Sequence, residues 1–317
     1  VWQHPAAPET PVEKLQPASV GATGNLITSN NVKVTAGNVH SLGVANSKAS
    51  NSIFSKYTLH DFLGGKYKGV NVAKHGNQLP YNVPITFDVD KGVILPKGFD
   101  ISPTMERILM AAAAIFHSGG DGDNGPVITT AKNIANIMSG RDTAPTVNTK
   151  TEANIVDNIR EMLKISIHID ASEHRKYNAL DRRRKQLPQS FYEGHLFPGD
   201  IVVTEEETYI RIFSASPIFA YTRDLGQIQD YPKHFFDLTK VEQFNAAGDV
   251  IHSEKTVIKN MSGQQQDIFL FLLKEKNRIE RQTPKSKRGS VRYERIYSYL
   301  LKGNSSRFDL SKPGRKG

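Results

Sequence analysis

The segment from Thr129 to Asp170 constrains the fold most, because the spacing of its apolar side chains changes from helical to strand-like. Its first part, Thr129–Gly140, has a threonine cap, apolar residues at helical spacing and a glycine stop, so it predicts a helix. A second helix is predicted from Thr149-x-x-Glu152, which has the pattern of a capping box. From residue 165 onwards isoleucines alternate with polar residues, which predicts a strand.

The order helix, turn, helix and strand is the outline of a winged helix-turn-helix, which places its second helix in the major groove of DNA. The same apolar stripes would equally suit an ordinary α+β core. Strand patterns at 201–204 and 208–213, joined by a charged tip, would supply the wing, and 218–222 is predicted as a further strand. The predicted fold is therefore α+β with a winged helix-turn-helix domain.

Composition divides the chain into four predicted parts. Residues 1–54 are rich in small and polar residues and lack periodicity, which predicts a disordered arm. Residues 55–250 are predicted to form the winged-helix-like α+β domain, with a helix that starts at Ser102-Pro103 and ends at Gly119. Residues 251–303 predict a basic helical module, which an incomplete second winged helix would also explain. Residues 304–317 predict a disordered tail.

Positive charge is concentrated at the end of the chain. Residues 255–317 contain 16 Lys and Arg against 5 Asp and Glu, whereas the rest of the chain has a net charge of −2. A segment of this kind is expected to contact a polyanion, of which nucleic acid is the commonest. The chain has no cysteine, which excludes disulfides and zinc–thiolate sites and suits a reducing cytoplasm. No apolar run is long enough to cross a membrane.

Candidate DNA-contacting residues fall into two groups. Lys150, Asn154 and Asn158 share the polar side of the second helix, where asparagine can bind adenine and lysine can reach guanine or phosphate. Asp157 and Glu161 on the same helix would repel phosphates. The remaining candidates are cations suited to phosphate contact: Lys132, Arg182, Arg183, Arg184, Lys185, Lys285, Lys287, Arg288, Arg292 and Arg295.

Two other functions remain open from the residues alone. His168 and Asp170 share one face of the predicted strand and could hold a divalent metal, with Tyr177 or Tyr192 as the nucleophile of a DNA-nicking enzyme. Nicking enzymes of this kind place two histidines around one apolar residue, and here Asp170 replaces the second. A non-catalytic structural or adaptor protein of a phage or plasmid is the other alternative.

Four segments resemble those of replication initiators and replisome organisers of plasmids, phages and mobile elements of Gram-positive bacteria. They are Ser102–Leu109, Ile128–Gly140, Ile155–Asp170 and Lys285–Leu301. The resemblance implies sequence-specific binding to double-stranded DNA at an origin, as a homodimer or larger assembly, with recruitment of a host helicase or polymerase. On this hypothesis the protein acts without catalytic residues, metal or cofactor.

Overall fold

The computed structural model describes residues 31–72, 81–96, 99–120, 125–143, 147–180, 185–205, 207–237, 240–244, 250–255, 263–282, 296 and 299. Residues 1–30 of the predicted arm and the predicted tail 304–317 lie outside these ranges. The described part is a mixed α+β structure, as predicted.

Three helices and one strand form the first layer: α3 (Pro103–Ser118), β5 (Val127–Thr130), α4 (Ala131–Met138) and α5 (Thr149–Met162). Ser102 caps α3 by accepting a hydrogen bond from the Met105 amide at 3.2 Å, as its position before Pro103 predicts. Thr130 caps α4 by the same kind of bond, and the three helices pack against one another. Gly140 ends the turn after α4 with φ +73°, where a Cβ would overlap the backbone of Asp237. These predicted helices are confirmed.

A hairpin of β8 (Gly199–Val203) and β9 (Thr208–Ile212) completes this layer. Strand β9 lies between β8 and β5 and is antiparallel to both, while β1 (Val32–Lys33) pairs parallel to β5 on the other edge. Alternate residues of β9, Ile210 and Ile212, are fully buried. The predicted hairpin is therefore present, and its sheet has the order β1-β5-β9-β8.

A second antiparallel sheet has the order β3-β4-β6-β7. Its strands are β3 (Gly69–Val72), β4 (Tyr81–Val89), β6 (Ile165–Asp170) and β7 (Phe191–His195). Strand β6 follows directly after α5, as predicted, and buries its three isoleucines while Ser166, His168 and Asp170 face outwards. Strand β6 is a central strand of this sheet and connects the sheet to the end of α5.

The predicted disordered arm is wrong for residues 31–54. Strand β2 (Ser41–Ala45) pairs with β10 (Ile228–Pro232), and α1 (Lys48–Asn51), a π-helical turn over Ser52–Lys56 and α2 (Leu59–Leu63) follow. Ile53 and Phe54 are almost completely buried, and the Phe54 ring lies 6.3 Å from that of Phe219. The partners that bury this segment lie far away in the sequence, so local composition gives no sign of them.

One helix occupies a position where the sequence predicted a strand. Helix α6 (Ser172–Ala179) follows β6 directly, and α7 (Pro217–Asp224) replaces the strand predicted at 218–222. Pro217 is the first residue of α7, a position that proline favours, and Ile218, Phe219 and Tyr221 are all buried. A short apolar run cannot distinguish a buried helix from a strand, which explains the error.

Helix α8 (Gly263–Gln282) packs into the main core, although the sequence predicted that residues 251–303 form a module of their own. Leu270 and Leu273 join that core, and charged residues of α8 are buried against α3. Arg107 binds Asp267 at 2.8 Å, and Lys274 forms an ion pair with Glu106. Strands β11 (Lys240–Phe244) and β12 (Val250–Lys255) form an antiparallel pair before α8.

Candidate nucleic-acid interface

Helix α5 has one buried and one exposed side. Ile155, Val156, Ile159 and Met162 are buried, and the helix packs against α3 and α4. The residue that caps α5 is Asn148, whose side chain accepts a hydrogen bond from the Lys150 amide at 2.9 Å. The cap predicted at Thr149 is therefore one residue too late, although the helix itself is confirmed.

The three residues predicted to read bases lie along the outer side of α5. Lys150 and Asn154 are exposed, whereas Asn158 is half-buried. The Asn158 amide donates to the backbone oxygen of Asn154 at 2.6 Å and to its side-chain oxygen at 3.2 Å. Asn158 would have to give up these bonds to donate to a base, so Lys150 and Asn154 are the better placed pair. Lys132 is exposed in the first turn of α4.

An open cleft of about 690 Å³ separates α5 from the tip of the β8–β9 hairpin. We call it the α5–hairpin cleft. Four carboxylates line it, Glu152 and Asp157 from α5 and Glu205 and Glu207 from the hairpin, against the single cation Arg160. Arg160 is itself paired with Asp157 at 3.0 Å. The cleft is therefore acidic, and a phosphate group that entered it would be repelled.

The sequence alone indicates that the tip of this hairpin is acidic, because Glu205, Glu206 and Glu207 are consecutive. Their effect on DNA binding depends on the distance between the tip and α5, which only the folded structure gives. The hairpin that would serve as the wing thus carries the wrong charge for phosphate contact at its tip. Phosphate contacts must come from other parts of the chain.

Most of the predicted phosphate-contacting cations lie outside the described residues. These are Arg182, Arg183, Arg184, Lys285, Lys287, Arg288, Arg292 and Arg295. Lys185 is described and exposed, and its Nζ donates to the backbone oxygen of Arg223 at 2.9 Å. This bond places Lys185 against the end of α7.

His168 and Asp170, the candidate metal ligands of a nicking enzyme, already have other partners. His168 Nδ1 lies 3.0 Å from a carboxylate oxygen of Glu193 on the neighbouring strand. Asp170 accepts a hydrogen bond from the Ser172 amide at 2.9 Å, and hydrogen bonding from Ser172 lowers the pKa of Asp170. Within the described residues, no three His, Asp or Glu side chains form a set that could hold a metal ion.

The two candidate nucleophiles are also engaged. The Tyr192 hydroxyl donates to Asp224 at 2.7 Å, and burial together with this bond raises the pKa of Tyr192 well above its ordinary value. Tyr177 is buried, with its ring 5.5 Å from that of Tyr81. For Tyr192, the raised pKa and the acceptor already bound to the hydroxyl both disfavour the phenolate that attack on a phosphate would need.

Comparison of the chain with protein-family models, curated proteins and solved structures gives no match. Among the helices that the structure describes, none combines the length and the apolar composition needed to cross a bilayer.

Proposed function

We propose that α3, β5, α4, α5 and the β8–β9 hairpin form a winged helix that binds double-stranded DNA with sequence preference. The observation that carries the proposal is the order of these elements together with the strand pairing, in which β9 lies between β5 and β8. A winged helix presents its second helix-turn-helix helix to the major groove, and α5 occupies that position. The residues between α5 and β8, which include β6, α6 and β7, are then an insertion into this unit.

Base contact is assigned to the N-terminal half of α5. Lys150, Thr151 and Asn154 are exposed there and offer hydrogen-bond donors and acceptors to base edges. Glu152 and Asp157 of α5 line the neighbouring α5–hairpin cleft together with the carboxylates of the hairpin tip. The acidic cleft would favour those orientations of α5 in the groove that keep the phosphates of DNA away from it.

Phosphate contact is assigned to the cations outside the cleft. Lys132 on α4 would act beside α5, and the segment 182–185 and the group from Lys285 to Arg295 would add phosphate contacts from other parts of the chain. Such contacts supply affinity that is independent of sequence and falls steeply with salt. They would hold the protein on DNA while α5 reads bases.

The biological role that we propose is the initiation of replication of a plasmid- or phage-type mobile element. This part rests on the resemblance of four segments to replication initiators and replisome organisers, and it includes a homodimer and a host helicase or polymerase as partners. The protein would act by assembling on DNA rather than by catalysis.

Fluorescence anisotropy with a random-sequence duplex, measured across a salt series, tests the proposal. Because α8 packs into the core, the C-terminal cations should be neutralised by substitution, not removed by truncation. We expect binding that weakens steeply with salt, and a smaller salt slope for the variant Arg288→Gln/Arg292→Gln. Absence of binding at low salt would reject DNA binding and favour the adaptor function. Relaxation of supercoiled plasmid in the presence of Mg²⁺ or Mn²⁺ would instead favour the nicking enzyme.

A further inference from the structure

A second cavity of about 260 Å³ lies between the C-terminal end of α3, the end of α7 and the β2–β10 ribbon. We call it the α3–α7 pocket. Small residues make this surface concave: Ala113 and Ala114 line it from α3, and Gly43 lines it from β2. A Cβ at position 43 would lie 2.6 Å from Cγ2 of Ile228 and 3.0 Å from Oδ1 of Asp230. The packing of β10 therefore requires a glycine at position 43.

The main positive charge of the α3–α7 pocket is the guanidinium of Arg223. This side chain is half-buried, and its Nη2 lies 3.9 Å from the position that a Cβ of residue 43 would take. Arg223 forms no salt bridge with any residue that the structure describes. A partly desolvated cation that lacks an ionic partner is stabilised when an anion binds beside it.

The other residues that line the α3–α7 pocket indicate the chemistry of the ligand. His40, His117, Ser41 and Ser118 supply donors that suit phosphate oxygens. Asp230 is the single carboxylate in the lining. A carboxylate repels a phosphate but accepts hydrogen bonds from sugar hydroxyls. Asp230 Oδ1 and Arg223 Nη2 both lie within 4 Å of the position that a Cβ of residue 43 would take, so Asp230 suits a hydroxyl group close to a phosphate on Arg223.

We propose that the α3–α7 pocket binds a phosphate ester of a sugar, with the phosphate on Arg223 and a hydroxyl group on Asp230. The guanidinium fork matches two oxygens of a phosphate. The volume of about 260 Å³ lies just below the usual range of about 300–1,000 Å³ for ligand pockets, which suits a small ligand such as a sugar phosphate or one nucleotide of a longer chain. None of the residues that line this site belongs to α5, and the proposal does not rest on DNA binding by α5.

Isothermal titration calorimetry of the full chain with ribose 5-phosphate, inorganic phosphate and ribose tests the proposal. We expect ribose 5-phosphate to bind more tightly than either fragment, and Arg223→Gln to weaken its binding by about tenfold or more. Asp230→Asn should weaken ribose 5-phosphate but spare inorganic phosphate. The matched control is Arg175→Gln, an exposed arginine on α6 outside the pocket, which should leave binding unchanged. Equal binding by wild type, Arg223→Gln and Arg175→Gln would overturn the proposal.

A measurement on the wild-type chain covers the case in which Arg223→Gln does not fold. The imidazole proton resonances of His40 and His117 should shift on addition of ribose 5-phosphate, whereas those of His60 and His234, outside the pocket, should not. Equal shifts in all four would indicate unspecific binding and would contradict the site. Displacement of ribose 5-phosphate by a short duplex would identify the DNA backbone as the source of the phosphate, and its retention would identify a free sugar phosphate.

Discussion

The α3–α8 interface and the α5–hairpin cleft both concentrate charged side chains, but they arrange them in opposite ways. At the α3–α8 interface, Glu106, Arg107, Asp267 and Lys274 are all buried, and each has a partner of opposite charge. The Tyr299 hydroxyl also donates to Glu106, at 3.2 Å. In the α5–hairpin cleft the charges face solvent, and four of the five are negative.

The difference distinguishes the charged side chains that stabilise the fold from those that are available to a binding partner. A buried ion has lost its hydration, so it depends on its partner and leaves a large penalty if that partner is removed. An exposed ion keeps its hydration, so it contributes little to stability but sets the potential that a ligand meets. We therefore expect substitutions at the first site to change folding, and substitutions at the second to change binding.

The largest expected effect is at Glu106. Replacement by alanine leaves Lys274 buried without its carboxylate and should lower the free energy of unfolding by about 3–5 kcal/mol. Urea unfolding followed by circular dichroism measures this. The double variant Glu106→Leu/Lys274→Met, which removes both charges, should recover much of the loss. A single variant as stable as wild type would show that these charges do not hold α8 in place.

A smaller effect on the free energy of unfolding is expected for substitution of Asp61, a solvent-accessible carboxylate that nevertheless stabilises the folded state. Hydrogen bonds from the backbone and hydroxyl of Thr58, with a contribution from Lys66, lower the pKa of Asp61 from 3.8 to about 2. A lowered pKa stabilises the folded state above the unfolded pKa, and this stability is lost as the pH falls through the folded value. Asp61→Asn should therefore cost about 1 kcal/mol at neutral pH.

The pH dependence separates this charge effect from simple loss of packing. The difference in unfolding free energy between wild type and Asp61→Asn should shrink as the pH falls from about 4 to about 2. Urea unfolding at several pH values provides the measurement. A difference that stays constant over this range would mean that the carboxylate charge contributes nothing at the cap of α2.

In the cleft, Glu205→Gln/Glu207→Gln should affect binding and not folding. Removing two exposed negative charges beside α5 should raise affinity for a random duplex by about threefold at low salt, and the gain should vanish at high salt. Anisotropy titration checks both. If affinity fell, the hairpin tip would be making contacts with DNA that its charge gives no reason to expect.

The smallest effect is expected for the exposed pair Asp157–Arg160, which serves as the counterpart of the buried pair Glu106–Lys274. Both side chains are more than half exposed, at 67% and 53%. Asp157→Ala should change the free energy of unfolding by no more than about 0.5 kcal/mol. A loss of stability as large as that of Glu106→Ala would contradict the distinction between buried charges that stabilise the fold and exposed charges that do not.

The sequence predicts the elements whose signals are local. Helix α3 has its serine cap and proline, α4 its threonine cap and glycine stop, and β6 its alternating isoleucines, and all three are present. The sequence fails where burial depends on distant partners. Residues 31–54 have the composition of an arm, but β2 pairs with β10 and Phe54 packs on Phe219.

Helix α8 shows most clearly what the sequence alone could not predict. Its apolar residues have helical spacing, yet Leu272 is 41% exposed, while the charged residues Asp267 and Lys274 are buried. Apolar periodicity cannot indicate that charges of α3 will neutralise those of α8. For the candidate site, the sequence identifies the polar side of α5, but only the fold brings the glutamates of the hairpin tip next to it.

Selection of binding sites from a random duplex library, with wild type and Asn154→Ala in parallel, tests the central claim most directly. The account predicts that wild type enriches one motif, and that Asn154→Ala loses preference at one base position while its affinity for random duplex stays the same. Lys150→Ala provides a second variant on the same side of α5. Failure of wild type to enrich any motif, or equal weakening of all sequences by Asn154→Ala, would contradict the assignment of α5 as the helix that reads DNA.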